Sequence, residues 1–192
     1  MKKVVMVSNL MPSTSYGLGL CEGILNSSDD ITFYAEKSFD DNLINHDRKI
    51  IKVWSKSLKY FLQILSRLIR DKPDVVHFQH EINTFGSPIT ALVFPFLLIF
   101  LKVLKFKVVI TVHGLPSLKD IDKDFISSFI NGGFVSPLYF KLFFYFYYKF
   151  LSVIANKIIV HTDLIKKIFI DEYHAKKDKI EVISIGSLDL TD

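Results

Sequence analysis

The sequence predicts one doubly wound α/β domain on a parallel sheet of about seven strands. Three observations predict it. Short β-branched runs such as VVMV, DVVHFQ and KVVITVH recur from end to end. Stretches with helical periodicity separate them. The chain has 192 residues with no internal repeat and no linker-like segment, so it forms a single domain.

The elements follow in order. Lys3–Ser8 is a continuous apolar run, as expected of a strand buried on both faces. Its four apolar residues are too few for the h-region of a signal peptide. Gly19–Asn26 can be helical. Ile31–Ala35 and Lys49–Trp54 are the second and third strands. Ser57–Arg70 has apolar residues at 58, 61, 62, 65, 68 and 69, a helical stripe that Pro73 ends. Asp74–Gln79 is the fourth strand. Ile89–Leu104 is a long helix kinked by Pro95, and Lys107–His113 is the fifth strand. Residues 114–136, with glycines, serines and three aspartates, are expected to form a long mobile loop holding at most one short helix. Pro137–Ala155 is a second long helix and Asn156–His161 the sixth strand. Thr162 or Asp163 caps a helix running to about His174, and Lys179–Ile185 is the seventh strand.

Composition excludes several classes. Hydrophobic residues make up 49% and charged residues 23%, which excludes wholesale disorder. The single cysteine, Cys21, excludes a disulfide scaffold and a multi-cysteine zinc site. It is read as core and fits a reducing, cytoplasmic compartment. The net charge of +4 is spread over both halves, which disfavours nucleic acid. No run of about 20 uncharged apolar residues occurs, so a spanning helix is not expected.

In a doubly wound sheet, ligands bind beyond the carboxyl ends of the strands. After the first strand, Gly17 and Gly19 open a helix. They can present backbone N–H groups to a phosphate or sugar, or serve as a flexible turn. A dinucleotide site is the competitor, since Glu36 ends the second strand where a ribose-binding acid belongs. Against it, Gly23 is one position late for G-x-G-x-x-G, and the loop from Ser8 to Gly17 is too long. The fourth strand ends in His77-Phe-Gln-His80-Glu81. Alternation sends positions 77 and 80 to opposite faces and no H-E-x-x-H is present, so no metal is expected. His80 and Glu81 would face the cleft, with Glu81 as a base, a hydroxyl acceptor or a solvated carboxylate. The fifth strand ends in His113-Gly114, at a cleft edge. His113 can donate to a sugar hydroxyl, pass a proton, or be satisfied by a backbone carbonyl.

The abundance of rings, 18 Phe and 8 Tyr, concentrates in the second half. In PLYFKLFFYFYYKFLSVIA the polar residues Lys141, Tyr145, Lys149 and Ser152 form one narrow stripe. A helix this apolar is buried or touches lipid. Lys141, Tyr145 and Lys149, without an acid nearby, suit contact with an anionic membrane surface.

The ordered set of the glycine loop, DVVHFQHE, VVITVHG, NKIIVHTDLIKKIF and KIEVISIG resembles the N-terminal domain of retaining GT-B glycosyltransferases of family four, from Lys3 to Asp189. The resemblance implies a Rossmann-like domain on the acceptor side of a reaction that transfers a sugar from a nucleotide-sugar donor. Gly17 and Gly19 match the loop approaching the donor diphosphate and the acceptor. His113 matches the histidine that contacts the transferred sugar, with Gly114 beside it. His80 and Glu81 match a segment lining the acceptor side, and Thr162 a small polar residue after the sixth strand. This sequence has Gly17-Leu-Gly19 where many relatives have adjacent glycines. No metal or organic cofactor is implied. The second, donor-binding domain of such enzymes is absent from these residues, so the chain alone is expected to transfer little or no sugar. The implied partners are a nucleotide-sugar, a sugar or lipid-linked acceptor, a donor-side domain in cis or on a partner chain, and the inner face of a membrane. Two alternatives stand beside this reading: a non-catalytic subunit of a two-chain glycosyltransferase, and a Rossmann-type oxidoreductase.

Overall fold

The computed structural model describes residues 2–10, 19–21, 23–24, 30–40, 42, 49–129 and 136–184. Seven strands form one sheet: β1 (Val4–Val7), β2 (Ile31–Glu36), β3 (Ile50–Trp54), β4 (Val75–His80), β5 (Lys107–Val112), β6 (Lys157–Val160) and β7 (Ile180–Val182). Their order is β3-β2-β1-β4-β5-β6-β7, and every neighbouring pair is parallel. The order reverses between β1 and β4, which creates the switch point where such sheets bind ligands.

The helices are α1 (Tyr60–Asp71), α2 (Pro88–Ala91), α3 (Phe94–Val103), α4 (Lys123–Phe129), α5 (Pro137–Ile154) and α6 (Asp163–Asp171). Strands β4 to β7 advance in one direction across the sheet, so right-handed crossovers lay their helices on one face. There α1, α3, α5 and α6 share one core with Val7, Phe78, Ile110 and Val160. The chain from β1 to β2 runs the other way. Its helical residues 19–21 and 23–24 therefore belong to the opposite face, where Cys21 and Leu10 pack with Met6, Phe33 and Ala35.

The helix face explains many of the aromatic residues. Tyr60 stacks on Phe85 at 4.2 Å, Phe85 on Phe94 at 5.4 Å, and Phe94 on His80 at 4.6 Å. Phe144, Tyr148, Phe169 and Tyr173 continue the ring-on-ring packing between α5 and α6.

Two expectations change. The predicted helix over 89–104 is split, with Leu92 and Val93 between α2 and α3. Pro95 does not kink a helix interior. It sits in the first turn of α3, where its missing N–H leaves no bond unmade. The loop after β5 is anchored at its start and then forms α4. The Tyr148 hydroxyl donates to Gly114 O (2.9 Å) and the Tyr173 hydroxyl to Pro116 O (2.6 Å). The Glu172 carboxylate accepts from Leu118 N (2.6 Å) and from Ser117 Oγ (3.0 Å).

Candidate functional site

Strand parity decides which side chains meet at the carboxyl edge. Met6 pairs with His77, Gln79 with Thr111, and Thr111 with Ile159, so these residues share one face. Continuing that parity brings His113 and His161 onto it. The result is a polar ladder across three strands. His77 Nε2 lies 2.7 Å from Thr111 Oγ1 and 3.5 Å from Gln79 Nε2. Gln79 Oε1 lies 2.7 Å from His113 Nε2. His113 Nδ1 lies 3.1 Å from His161 Nε2, and His161 Nδ1 lies 2.9 Å from Ile183 O.

The donors in this ladder are linked. With the Gln79 oxygen toward His113, the ε nitrogen of His113 donates and its δ nitrogen accepts from His161. His161 then faces acceptors with both nitrogens, which a neutral imidazole cannot satisfy. Turning the Gln79 amide closes the ladder: its nitrogen donates to His113 Nε2, His113 Nδ1 donates to His161 Nε2, and His161 Nδ1 donates to Ile183 O.

Burial sets the charge of the other rings. It holds His113 down at about 4, with His161 adding to the effect. It holds His77 at about 4 and His80 at about 3, in both cases aided by His113. All three are neutral at pH 7.

His80 departs from expectation. It is on the helix face, stacked on Phe94, and its Nε2 lies 3.1 Å from the Tyr147 hydroxyl of α5. Its Nδ1 is buried without a hydrogen-bond partner. Position 80 points beneath α3 because it shares parity with Phe78, so it lines the core and not the cleft. Glu81 follows in an exposed turn, its N–H donating to Thr84 Oγ1 at 2.8 Å. The His113 N–H donates to His80 O at 3.1 Å, so Glu81 and Gly114 follow directly on a bonded pair at neighbouring strand ends.

Gly114 is exposed, and a Cβ built there meets nothing within 4 Å. Packing does not require a glycine at this position. Thr162 caps α6, accepting from Ile165 N at 3.2 Å, so its hydroxyl is already engaged. Gly19 opens the helical residues after β1, and Gly17 lies outside the described residues. Glu36, the acid of the dinucleotide reading, is buried and pairs with Lys56 at 3.4 Å.

The expected membrane stripe lies at the edge of the exposed surface of α5. Lys141, Tyr145 and Lys149 are half-buried. The Tyr145 ring meets Tyr173 and His174, and Lys149 Nζ donates to His174 O. Beside it, the most exposed flank of α5 is apolar: Leu138, Tyr139, Leu142, Phe146 and Val153.

Sequence reasoning passed over Gln79 and His161. Their signal was polar residues of one parity closing adjacent strands, visible only once the strand order is known. Among the described residues no cluster of three His, Cys, Asp or Glu could hold a metal ion. Among the described residues the strand ends concentrate hydrogen-bonding groups, suited to hydroxyls, and little positive charge for a diphosphate.

Comparison with known proteins agrees with this layout. The family model described as Glycosyltransferase Family 4 matches residues 31–186. The structure of HepE (Alr3699) from Anabaena, in complex with UDP and glucose, superposes with a TM-score of 0.58 at 12% identity, covering 97% of this chain and 45% of HepE. A second HepE structure, with UDP, gives 0.56 at 12% identity over 97% and 44%. Sucrose-phosphate synthase (tll1590) from Thermosynechococcus elongatus gives 0.54 at 10% identity, over 97% of this chain and 90% of that one. At such identities the likeness is one of fold. The chain spans less than half the length of HepE. No curated protein sequence matches it.

Proposed function

Because the chain belongs to glycosyltransferase family 4, we propose that it is the acceptor-side domain of an enzyme that transfers a sugar from a nucleotide-sugar donor to an acceptor carried at a membrane surface. The observation that carries this reading is the edge formed by His113 and Gly114. A glycine that packing does not need sits open beside a ladder of hydrogen-bonded imidazoles, an arrangement suited to close approach of a sugar. The UDP and glucose held by HepE, a protein of the same fold, support a nucleotide-sugar as donor.

In this reading His113 meets the transferred sugar. Both its nitrogens are engaged, so a sugar hydroxyl would take the place of Gln79 or His161 at the ring. Gly114 lets the sugar pass over the backbone, and Glu81 accepts a proton or hydrogen bond from an acceptor hydroxyl. Gly19, which opens the helical residues after β1, approaches the diphosphate. A further domain, in cis or on a partner chain, supplies the positive charge the leaving diphosphate needs. The oxidoreductase alternative is weakened, because Glu36 is buried and lies 3.4 Å from Lys56 Nζ.

Gly114→Ala tests the reading. The fold has room for the methyl group. In the complete enzyme, assayed with a panel of radiolabelled nucleotide-sugars, transfer is expected to fall by about tenfold or more, the effect of misplacing substrate by an ångström. Unchanged transfer by the folded variant would refute a sugar site at this edge.

A further inference from the structure

Three helices lie side by side on one face of the sheet, with α3 between α1 and α5. Large apolar side chains stand on the outward surface of each. Phe96, Ile99, Phe100 and Val103 form the outer stripe of α3, with Phe96 58% exposed. Leu62 extends the surface on α1, where Phe61 meets Phe100 edge-on at 5.4 Å. The apolar flank of α5 extends it on the other side, with Phe146 63% exposed. Large exposed apolar patches mark interaction sites.

Charge narrows the partner. The spans of α1, α2, α3 and α5 contain five basic side chains, Arg67, Arg70, Lys102, Lys141 and Lys149, and one acid, Asp71. Asp71 is already bonded to Arg67 at 2.6 Å and Lys149 Nζ to His174 O, so the charge offered to a partner comes from Arg70, Lys102 and Lys141. No acid occurs from residue 82 to 119, or from 125 to 162. Among the described residues no helix is long and apolar enough to cross a bilayer. A layer of helices with exposed Phe and Leu, whose spans hold more bases than acids and whose one acid is already paired, has the features of a surface that lies in the headgroup region of an anionic membrane. A second copy of the chain would bring these same cations against each other.

We propose that the outer surface of α1, α3 and α5 docks on an anionic lipid bilayer, with the helices in the plane of the membrane and their outward rings among the lipids. This deepens the membrane-borne acceptor of the preceding reading. It differs from the stripe of Lys141, Tyr145 and Lys149, because the contact is made by the apolar flank and spreads over three helices.

The test is sedimentation of the chain with vesicles of phosphatidylcholine and phosphatidylglycerol, against vesicles of phosphatidylcholine alone. The chain is expected to pellet with the anionic vesicles, less with the neutral ones, and less as salt is added. Phe96→Asp with Phe146→Asp changes two exposed residues, so circular dichroism should stay native while vesicle affinity drops by about tenfold or more. Should that variant misfold, Lys102→Glu with Lys141→Glu is expected to remove the preference for anionic vesicles. Absence of vesicle binding, or binding unchanged in either folded variant, overturns the proposal. Self-association that the Phe variant abolishes, without vesicle binding, assigns the surface to a second copy and also overturns it. Sugar transfer to a soluble acceptor, measured separately, tells failure of docking from failure of the transferase reading.

Discussion

Three histidines at the ends of β4 and β5 are held neutral by burial, and this makes the fold sensitive to acid. The unfolded chain takes up protons on His77, His80 and His113 near 6.5, whereas the folded chain holds His77 and His113 near 4 and His80 near 3. Between these values the unfolded state binds more protons, so stability is full above pH 6.5 and is lost as pH falls toward 4. Each unit of depression corresponds to about 1.4 kcal/mol. Urea titrations at pH 7 and pH 5 should show the loss, and His77→Gln should make it smaller. Equal losses in both proteins would contradict the argument. Two glycines offer a contrast. Gly86 has φ of +124°, and a Cβ there would lie 3.3 Å from Thr90 Oγ1, so Gly86→Ala should destabilise by about 1–3 kcal/mol. Gly114→Ala should stay within about 0.5 kcal/mol in a thermal melt, since the space beside it is open. At this scale His113 and Gly114 were legible, because strand ends are readable from the pattern. Gln79 and His161 were not, because their importance comes from neighbours 34 and 48 residues away.

The strands were readable to within two or three residues at either end, because apolar β-branched runs bounded by polar residues have few other solutions in a parallel sheet. Helix ends were less legible. Proline breaks a helix interior but suits a first turn, and the sequence around Pro95 does not say which applies. The end of α5 depends on a residue far along the chain. Lys179 Nζ donates to Ser152 O, Val153 O and Ala155 O at 3.1, 2.8 and 2.7 Å, so an ammonium closes the carbonyl end of the helix and complements its dipole. Lys179→Met keeps the aliphatic stem and removes the three bonds. It should lower stability by about 1–2 kcal/mol, read from the midpoint of chemical unfolding at constant m-value. No shift in the midpoint would mean that water replaces the lysine at no cost.

For the molecule as a whole, alternation of strand and helix was enough to predict a doubly wound sheet, and the handedness of crossovers places the helices on their faces. What remained hidden was which helix surfaces face outward, because α3 and α5 are apolar on nearly every side and periodicity gives no direction. The described strand ends offer few cations: Lys37 follows β2, and Lys56 is paired with Glu36. The isolated chain should therefore bind UDP no more tightly than about the millimolar range, a weak −4 kcal/mol in free energy, and calorimetry that finds micromolar binding would contradict this. One helix joins the two surfaces of the molecule. On α5, Phe146 points outward, Tyr147 holds His80, and Tyr148 holds the carbonyl of Gly114. Three successive residues thus span the distance from the outer layer to the strand ends, and a helix turns as a rigid rod. The position of α5 is therefore tied to the Gly114 carbonyl by the Tyr148 phenol, next to the residue that faces outward.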